Sequence, residues 1–169
     1  MNLALSAWNE AEAQAALDAM LACCGARRWA AAMVALRPIR SVGELSAAAD
    51  RIWSTMEEVD WMEAFACHPR IGERRAVHAS KKSAAWSQQE QSSAETAAER
   101  VLADLAAGNA YYEQRFGFTY IVCATGRSAQ EMLDILNRRL NNDRIRELRE
   151  AAEQQRQITQ IRLGKWLVE

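Results

Sequence analysis

Chain breakers are scarce in this sequence, and that constrains the fold more than any other feature. Two prolines and seven glycines are spread over 169 residues. A glycine costs a helix interior about 1 kcal/mol relative to alanine and a proline about 3 kcal/mol, so long stretches here meet no such obstacle. Apolar residues also recur at helical intervals: Leu45, Ala48, Ala49, Ile52, Trp53 and Met56 share one face. The pattern predicts an all-α chain. Its length suits a single domain over residues 1–169 with room for a core. The expected architecture is a bundle of about seven or eight helices, with at most one short extended segment near 119–124.

Local punctuation predicts the elements. Asn9 can cap a first helix that runs to Cys24-Gly25, with Ala13, Ala16, Leu17, Met20 and Leu21 inward. A second helix covers Arg27 to Leu36 and stops before Pro38. Ser41 caps a third, with Glu44 placed for a capping box. A fourth spans Val59 to Ala66 and ends at Cys67-His68-Pro69. From Pro69 to Trp86 charges rise and periodicity fades, which reads as a surface loop holding no more than a helical turn; long loops in compact domains are often functional. Ser87 and Glu90 read as another capping box, opening a long helix to about Arg115 with Ala94, Ala97, Val101, Leu105 and Tyr112 inward. Phe116-Gly117-Phe118 breaks that helix, and Thr119 to Ala124 supplies the extended segment. Ser128 with Glu131 opens the next helix, with Met132, Ile135, Leu136 and Leu140 on its apolar face. Asn141-Asn142-Asp143 makes a turn before a last helix to about Leu167, with Ile145, Leu148, Ala152 and Ile158 on one side.

The 21 basic and 22 acidic residues leave a net charge of −1, which argues against a nucleic-acid binder, since those show a strongly basic face. No apolar run approaches the roughly 20 residues of a membrane span. Met1 to Asn9 has neither the basic region nor the apolar stretch of a secretory signal, and Trp166-Leu167-Val168-Glu169 is not a peroxisomal address. Cys23, Cys24, Cys67 and Cys123 lack zinc-ligand spacing, and adjacent cysteines rarely bridge. They read as reduced thiols of a cytoplasmic protein. No metal site is expected, because Cys67, His68 and His78 find no fourth ligand at telling spacing.

Few residues are placed for chemistry. His68 stands at a predicted helix end, fixed by Pro69, and an imidazole exchanges protons near neutral pH. The plainer alternative is a histidine that caps the helix C-terminus. His78, in the polar loop, reads as solvated. Cys67 is either a nucleophile beside His68 or a small packing residue. Ser87 and Glu90 either satisfy free amides or, with Trp86 and Gln91, line a polar pocket. Arg162, beside the apolar stripe of the last helix, either snorkels to solvent or presents a forked donor to a ligand. Arg70, Arg74, Arg75, Lys81 and Lys82 make the mid-chain loop basic.

The order of these pieces resembles a known family. Cys67-His68-Pro69-Arg70-Ile71-Gly72 is similar to the His-Pro signature of 2-oxo-4-hydroxy-4-carboxy-5-ureidoimidazoline (OHCU) decarboxylases. Ser87-Gln88-Gln89-Glu90-Gln91-Ser92 resembles their Ser-x-x-Glu-Gln segment. Asn109-x-x-Tyr112 and the run Phe116 to Ala124 resemble their Asn-x-x-Tyr and Phe-Gly-Phe-Pro-Phe-Val-Ile-Cys-Ala segments. Ile161-Arg162-Leu163 matches their C-terminal arginine, and Trp29 with Arg37-Pro38 fits the N-terminal part.

The resemblance implies an all-α carboxy-lyase, usually a homodimer. It would act late in urate breakdown on a small molecule, giving (S)-allantoin and carbon dioxide. It implies His68 as the catalytic acid/base and Glu90 as its partner. Substrate binding falls to Pro69, Ser87, Gln88, Gln89, Gln91, Arg162 and the main chain of Tyr120, Ile121, Val122, Cys123 and Ala124. No cofactor is expected, because the substrate carries its own electron sink, a C=N bond beside the carboxylated carbon. Thr119 and Thr125 depart from the family's usual proline and arginine. The competing expectation is a non-catalytic helical module for ligand binding or protein interaction, with His68, Glu90 and Arg162 pointing to different places; a thiol enzyme using Cys67 is a third.

Overall fold

The computed structural model describes residues 2–71, 81–90 and 99–169. Among them are nine α-helices and no strand: α1 (Leu3–Glu10), α2 (Ala13–Cys23), α3 (Arg27–Ala35), α4 (Val42–Trp53), α5 (Glu58–Ala66), α6 (Lys81–Glu90), α7 (Glu99–Phe116), α8 (Ala129–Arg139) and α9 (Arg144–Trp166). The all-α expectation holds; the nine helices are one more than the upper of the expected seven or eight, and two of them, α1 and α6, are not among the individually expected elements. His78, Arg74, Arg75, Gln91, Ala94 and Ala97 lie outside the described residues.

The first extra element is α1. Asn2 caps it, accepting from the Leu5 amide at 3.0 Å, while the helix expected to start at Asn9 begins at Ala13, after Glu12, with no side-chain cap. Asn9 sits inside α1 and uses its side chain elsewhere: Nδ2 donates to the Ile39 carbonyl and Oδ1 accepts from the Ile39 amide. The second is α6. Ser87 is not a cap, because helix already runs from Lys81 through it. Lysine and alanine are good helix formers, and Ser83, Trp86 and Ser87 bury one face at helical spacing. The charge of Lys81 and Lys82 therefore does not make this stretch a loop.

Elsewhere punctuation and structure agree. Ser41 caps α4, although Glu44 reaches back to the Arg40 amide and not to Ser41 itself. Ser128 and Glu131 form a complete capping box on α8. Asp143 accepts from the Arg146 amide at the start of α9. Gly117 follows α7 at φ +82, a left-handed conformation that suits glycine. Ile145 and Ala13 are misjudged face residues: Ile145 is 67% exposed and Ala13 faces solvent at the start of α2, while Leu148, Ala152 and Ile158 are buried.

Contacts divide the chain into two compact units, residues 1–64 with 156–169 and residues 65–155. In the first, Trp29 and Trp8 are buried and donate their indole N–H groups to Ala49 and Ala16 carbonyls. Arg37 closes the end of α1, donating to the Trp8 and Ala11 carbonyls at 2.7 Å each. The second unit is built on an aromatic cluster. Tyr112 meets Phe116, Phe118 and Tyr120 at centroid distances of 4.8, 5.7 and 5.3 Å, and Phe65 meets Phe118 at 5.3 Å. Such pairs add about 0.5–1.5 kcal/mol each beyond the area they bury. Gly108 lets α7 lie close to α8, since a Cβ there would stand 2.5 Å from Leu136 Cδ2.

Candidate active site

His68 follows the last turn of α5, where its amide donates to the Phe65 carbonyl at 3.1 Å. Pro69 behind it is buried and directs the chain away. The half-buried imidazole is gripped from α9: its Nε2 lies 2.7 Å from Oε1 of Gln155, a side chain with no solvent exposure.

The 119–124 run is neither helix nor strand. Its buried polar backbone needs partners, and side chains provide them. Arg139 Nη1 donates to the Ile121 carbonyl at 2.6 Å, and the Cys123 amide donates to Gln154 Oε1 at 2.9 Å. Tyr120 anchors its own end by donating to the Met132 carbonyl at 3.0 Å. The neighbours Gln154 and Gln155 therefore hold two pieces of the candidate site, the Cys123 amide and the His68 imidazole.

Beneath this segment lies a buried ionic cluster. Arg139 Nε and Nη2 both donate to Glu147 Oε1, at 2.8 and 2.5 Å. The Tyr112 hydroxyl donates to the same oxygen, and Asn142 Nδ2 donates to Oε2 at 2.8 Å. Burial works against the Arg139 charge, but the Glu147 hydrogen bond and the neighbouring anionic groups outweigh it, so the guanidinium holds its proton more tightly than usual. Burial is also the main cause that raises the Tyr112 and Tyr120 hydroxyls above the ordinary tyrosine value.

On α6, Ser87 is buried and Glu90 half-buried, while Gln88 and Gln89 face solvent. Tyr120, Ile121, Val122, Cys123 and Ala124 are all buried. Cys67 is half-buried. Arg162 on α9 is 2% exposed, which overturns the snorkelling alternative. A cavity of about 650 Å³ opens on α7 among Arg70, Ile71, Leu102, Asn109, Glu113 and Gln114, and among the described residues no expected site residue lines it. Arg70 and Glu113 pair there at 2.7 Å.

Gln154, Gln155 and Arg139 were not singled out in the sequence. A signal existed for Gln155: Leu148, Ala152, Gln155, Thr159, Arg162 and Trp166 fall at alternating four- and three-residue steps along one seam of α9, all buried. Polar residues at seam positions mark a buried polar site.

A family model described as OHCU decarboxylase matches residues 9–164. The uric acid degradation bifunctional protein TTL of Arabidopsis thaliana is 37% identical over 149 residues, covering 88% of this chain and 46% of that protein. A 2-oxo-4-hydroxy-4-carboxy-5-ureidoimidazoline decarboxylase of Amia calva is 40% identical over 55 residues, 32% of this chain and 31% of that one. The chain thus spans less than half the length of these curated relatives. A crystal structure of an OHCU decarboxylase in the presence of (S)-allantoin superposes with a TM-score of 0.77 at 33% identity, covering 94% of this chain and all of that one. A crystal structure of an (S)-allantoin synthase shares the fold, with a TM-score of 0.71 at 16% identity over 96% of this chain and 53% of the other.

Proposed function

We propose a decarboxylase reaction for this chain, which belongs to the OHCU decarboxylase family. The reaction is cofactor-free conversion of 2-oxo-4-hydroxy-4-carboxy-5-ureidoimidazoline to (S)-allantoin and carbon dioxide in urate breakdown. The match to the OHCU decarboxylase crystallised with (S)-allantoin, end to end in that chain, carries this reading. The immobilised imidazole of His68, the only histidine among the described residues, supports it.

Loss of carbon dioxide breaks the bond from the ring carbon to its carboxyl group. The released pair forms a ring C=C bond, and the pair of the adjacent C=N bond moves onto nitrogen, which takes a proton. The resulting enol becomes allantoin by losing its hydroxyl proton and gaining one on the neighbouring carbon. His68 is the acid/base that moves these protons, and delivery to one face sets the S centre. Glu90 favours the imidazolium. Arg162, Ser87, Gln91 and the main chain from Tyr120 to Ala124 hold the ring and ureido groups, with Pro69 against them and Gln88 and Gln89 flanking. The acting species is a homodimer in the cytoplasm, with residues 1–169 as one functional domain.

The test is to generate the unstable substrate from urate in situ and follow the optical activity of the allantoin formed, with and without the protein. His68→Asn should reduce kcat by about 100- to 10,000-fold with the fold intact. Racemic allantoin at the uncatalysed rate with the wild-type protein would favour the non-catalytic module; loss on Cys67→Ser and on thiol alkylation would favour the thiol enzyme.

A further inference from the structure

We propose that Gln155 is a positioning residue for His68, holding the proton on Nε2 so that Nδ1 is the nitrogen that exchanges with substrate. This rests on the acid/base reading of His68. Three observations carry it. The Nε2 to Oε1 distance is 2.7 Å, that of a good hydrogen bond. Gln155 has no solvent exposure, so water does not compete for its oxygen. It also sits mid-helix in α9, one residue after Gln154, which holds the Cys123 amide, so the imidazole and the 119–124 segment share one helical support.

An amide oxygen accepts but carries no charge. It selects the tautomer of a neutral ring, because an imidazole donating from Nε2 keeps its lone pair on Nδ1. A carboxylate in the same place would also favour the protonated ring before substrate arrives. Gln155 therefore orients the base while leaving it able to accept a proton. When Nδ1 takes the substrate's hydroxyl proton, the ring becomes imidazolium and the Nε2–H bond to Gln155 becomes charge-assisted and stronger. Return of that proton from Nδ1 to the product carbon restores the neutral ring, and solvent supplies the one further proton that the ring nitrogen takes as the carboxylate leaves. Orientation falls to Gln155 and charge to Glu90.

The experiment exploits the presence of just two histidines. In the His78→Asn background one imidazole remains, and ¹⁵N NMR reads its two nitrogens directly at a pH where the ring is neutral. The expected wild-type pattern is a protonated Nε2 with a slowly exchanging N–H and an unprotonated Nδ1. Gln155→Leu, similar in size, should lose the protected N–H and lower kcat about tenfold to hundredfold with a smaller change in KM. Gln155→Glu keeps the acceptor and should keep the protected N–H. A wild-type ring protonated on Nδ1, or a Gln155→Leu protein with unchanged imidazole signals and kcat, overturns the proposal. The NMR readout needs no turnover, so a positioned ring in a protein without decarboxylase activity would instead fault the functional reading.

Discussion

Arg139 and Glu147 face each other across the turn between α8 and α9, 2.5 Å apart and both wholly withdrawn from solvent. Few other positions tie so much together, because the same guanidinium donates to the Ile121 carbonyl and the same carboxylate accepts from Tyr112 and Asn142. Glu147→Gln leaves the buried cation only the looser Glu150 carboxylate, 4.0 Å from its Nε, and breaking a buried pair costs about 3–5 kcal/mol. A buried pair can often be exchanged for apolar residues at little cost. Here the double variant Arg139→Met/Glu147→Leu should stay destabilised, since the Ile121 carbonyl, the Tyr112 hydroxyl and the Asn142 amide all lose partners. Urea midpoints of the two singles and the double give the cycle. Full recovery in the double would mean the surrounding hydrogen bonds contribute nothing.

The same cluster makes the protein sensitive to alkali. Burial, aided by the Glu147 hydrogen bond and opposed by the Arg139 charge, raises the Tyr112 hydroxyl, and burial raises Tyr120. A tyrosine in the unfolded chain titrates near pH ~10. The folded values lie above that, so stability is complete below about pH 10 and falls as pH climbs toward them. Ultraviolet absorbance should therefore show phenolate from these two appearing together with loss of near-ultraviolet dichroism. Their ionisation in a fully folded protein would contradict the assigned burial.

Much of this was legible in the sequence where a local rule decides the outcome. The breaks at Pro69 and Gly117 and the caps at Ser41 and Ser128 depend on neighbours a few residues away. The reading failed where tertiary contacts outrank local signals. Asn9 looks like a cap until Ile39, 30 positions on, claims both ends of its amide. Ser87 and Glu90 look like a box until Trp86 finds a buried seat that extends the helix upstream. The histidine was found from its type and its proline, but its partner Gln155 lies 87 residues away, and nothing local links them.

Two serines that share a sequence pattern should thus behave differently. Ser128 caps α8, and Ser128→Ala should cost about 1 kcal/mol in stability with kinetics unchanged. Separately, the Ser128 amide and hydroxyl hold the Glu131 carboxyl below the usual range, a charge effect present above pH ~4.3 that fades as acid protonates Glu131. Ser87 sits inside α6 with its side chain buried, so Ser87→Ala removes no cap. Under the proposed function its effect falls on KM. Thermal melts and initial rates on both variants separate the cases; a KM unchanged in Ser87→Ala would remove that residue from the binding set.

Arg162 offers the sharpest division between a structural and a binding role. It is 2% exposed and lies on the polar seam of α9, seven residues beyond Gln155. Only a planar, forked donor reaches two oxygens of a ring or ureido group at once; lysine brings the charge as a single point. A charge-assisted hydrogen bond contributes about 1.5–3 kcal/mol, and each ~1.4 kcal/mol is a factor of ten in affinity. Arg162→Lys should therefore raise KM roughly tenfold to a hundredfold with the melting temperature little changed. Steady-state rates from substrate made in situ give KM, and calorimetry gives the melt. A lowered melting temperature with unchanged KM would assign Arg162 to the core and not to the substrate.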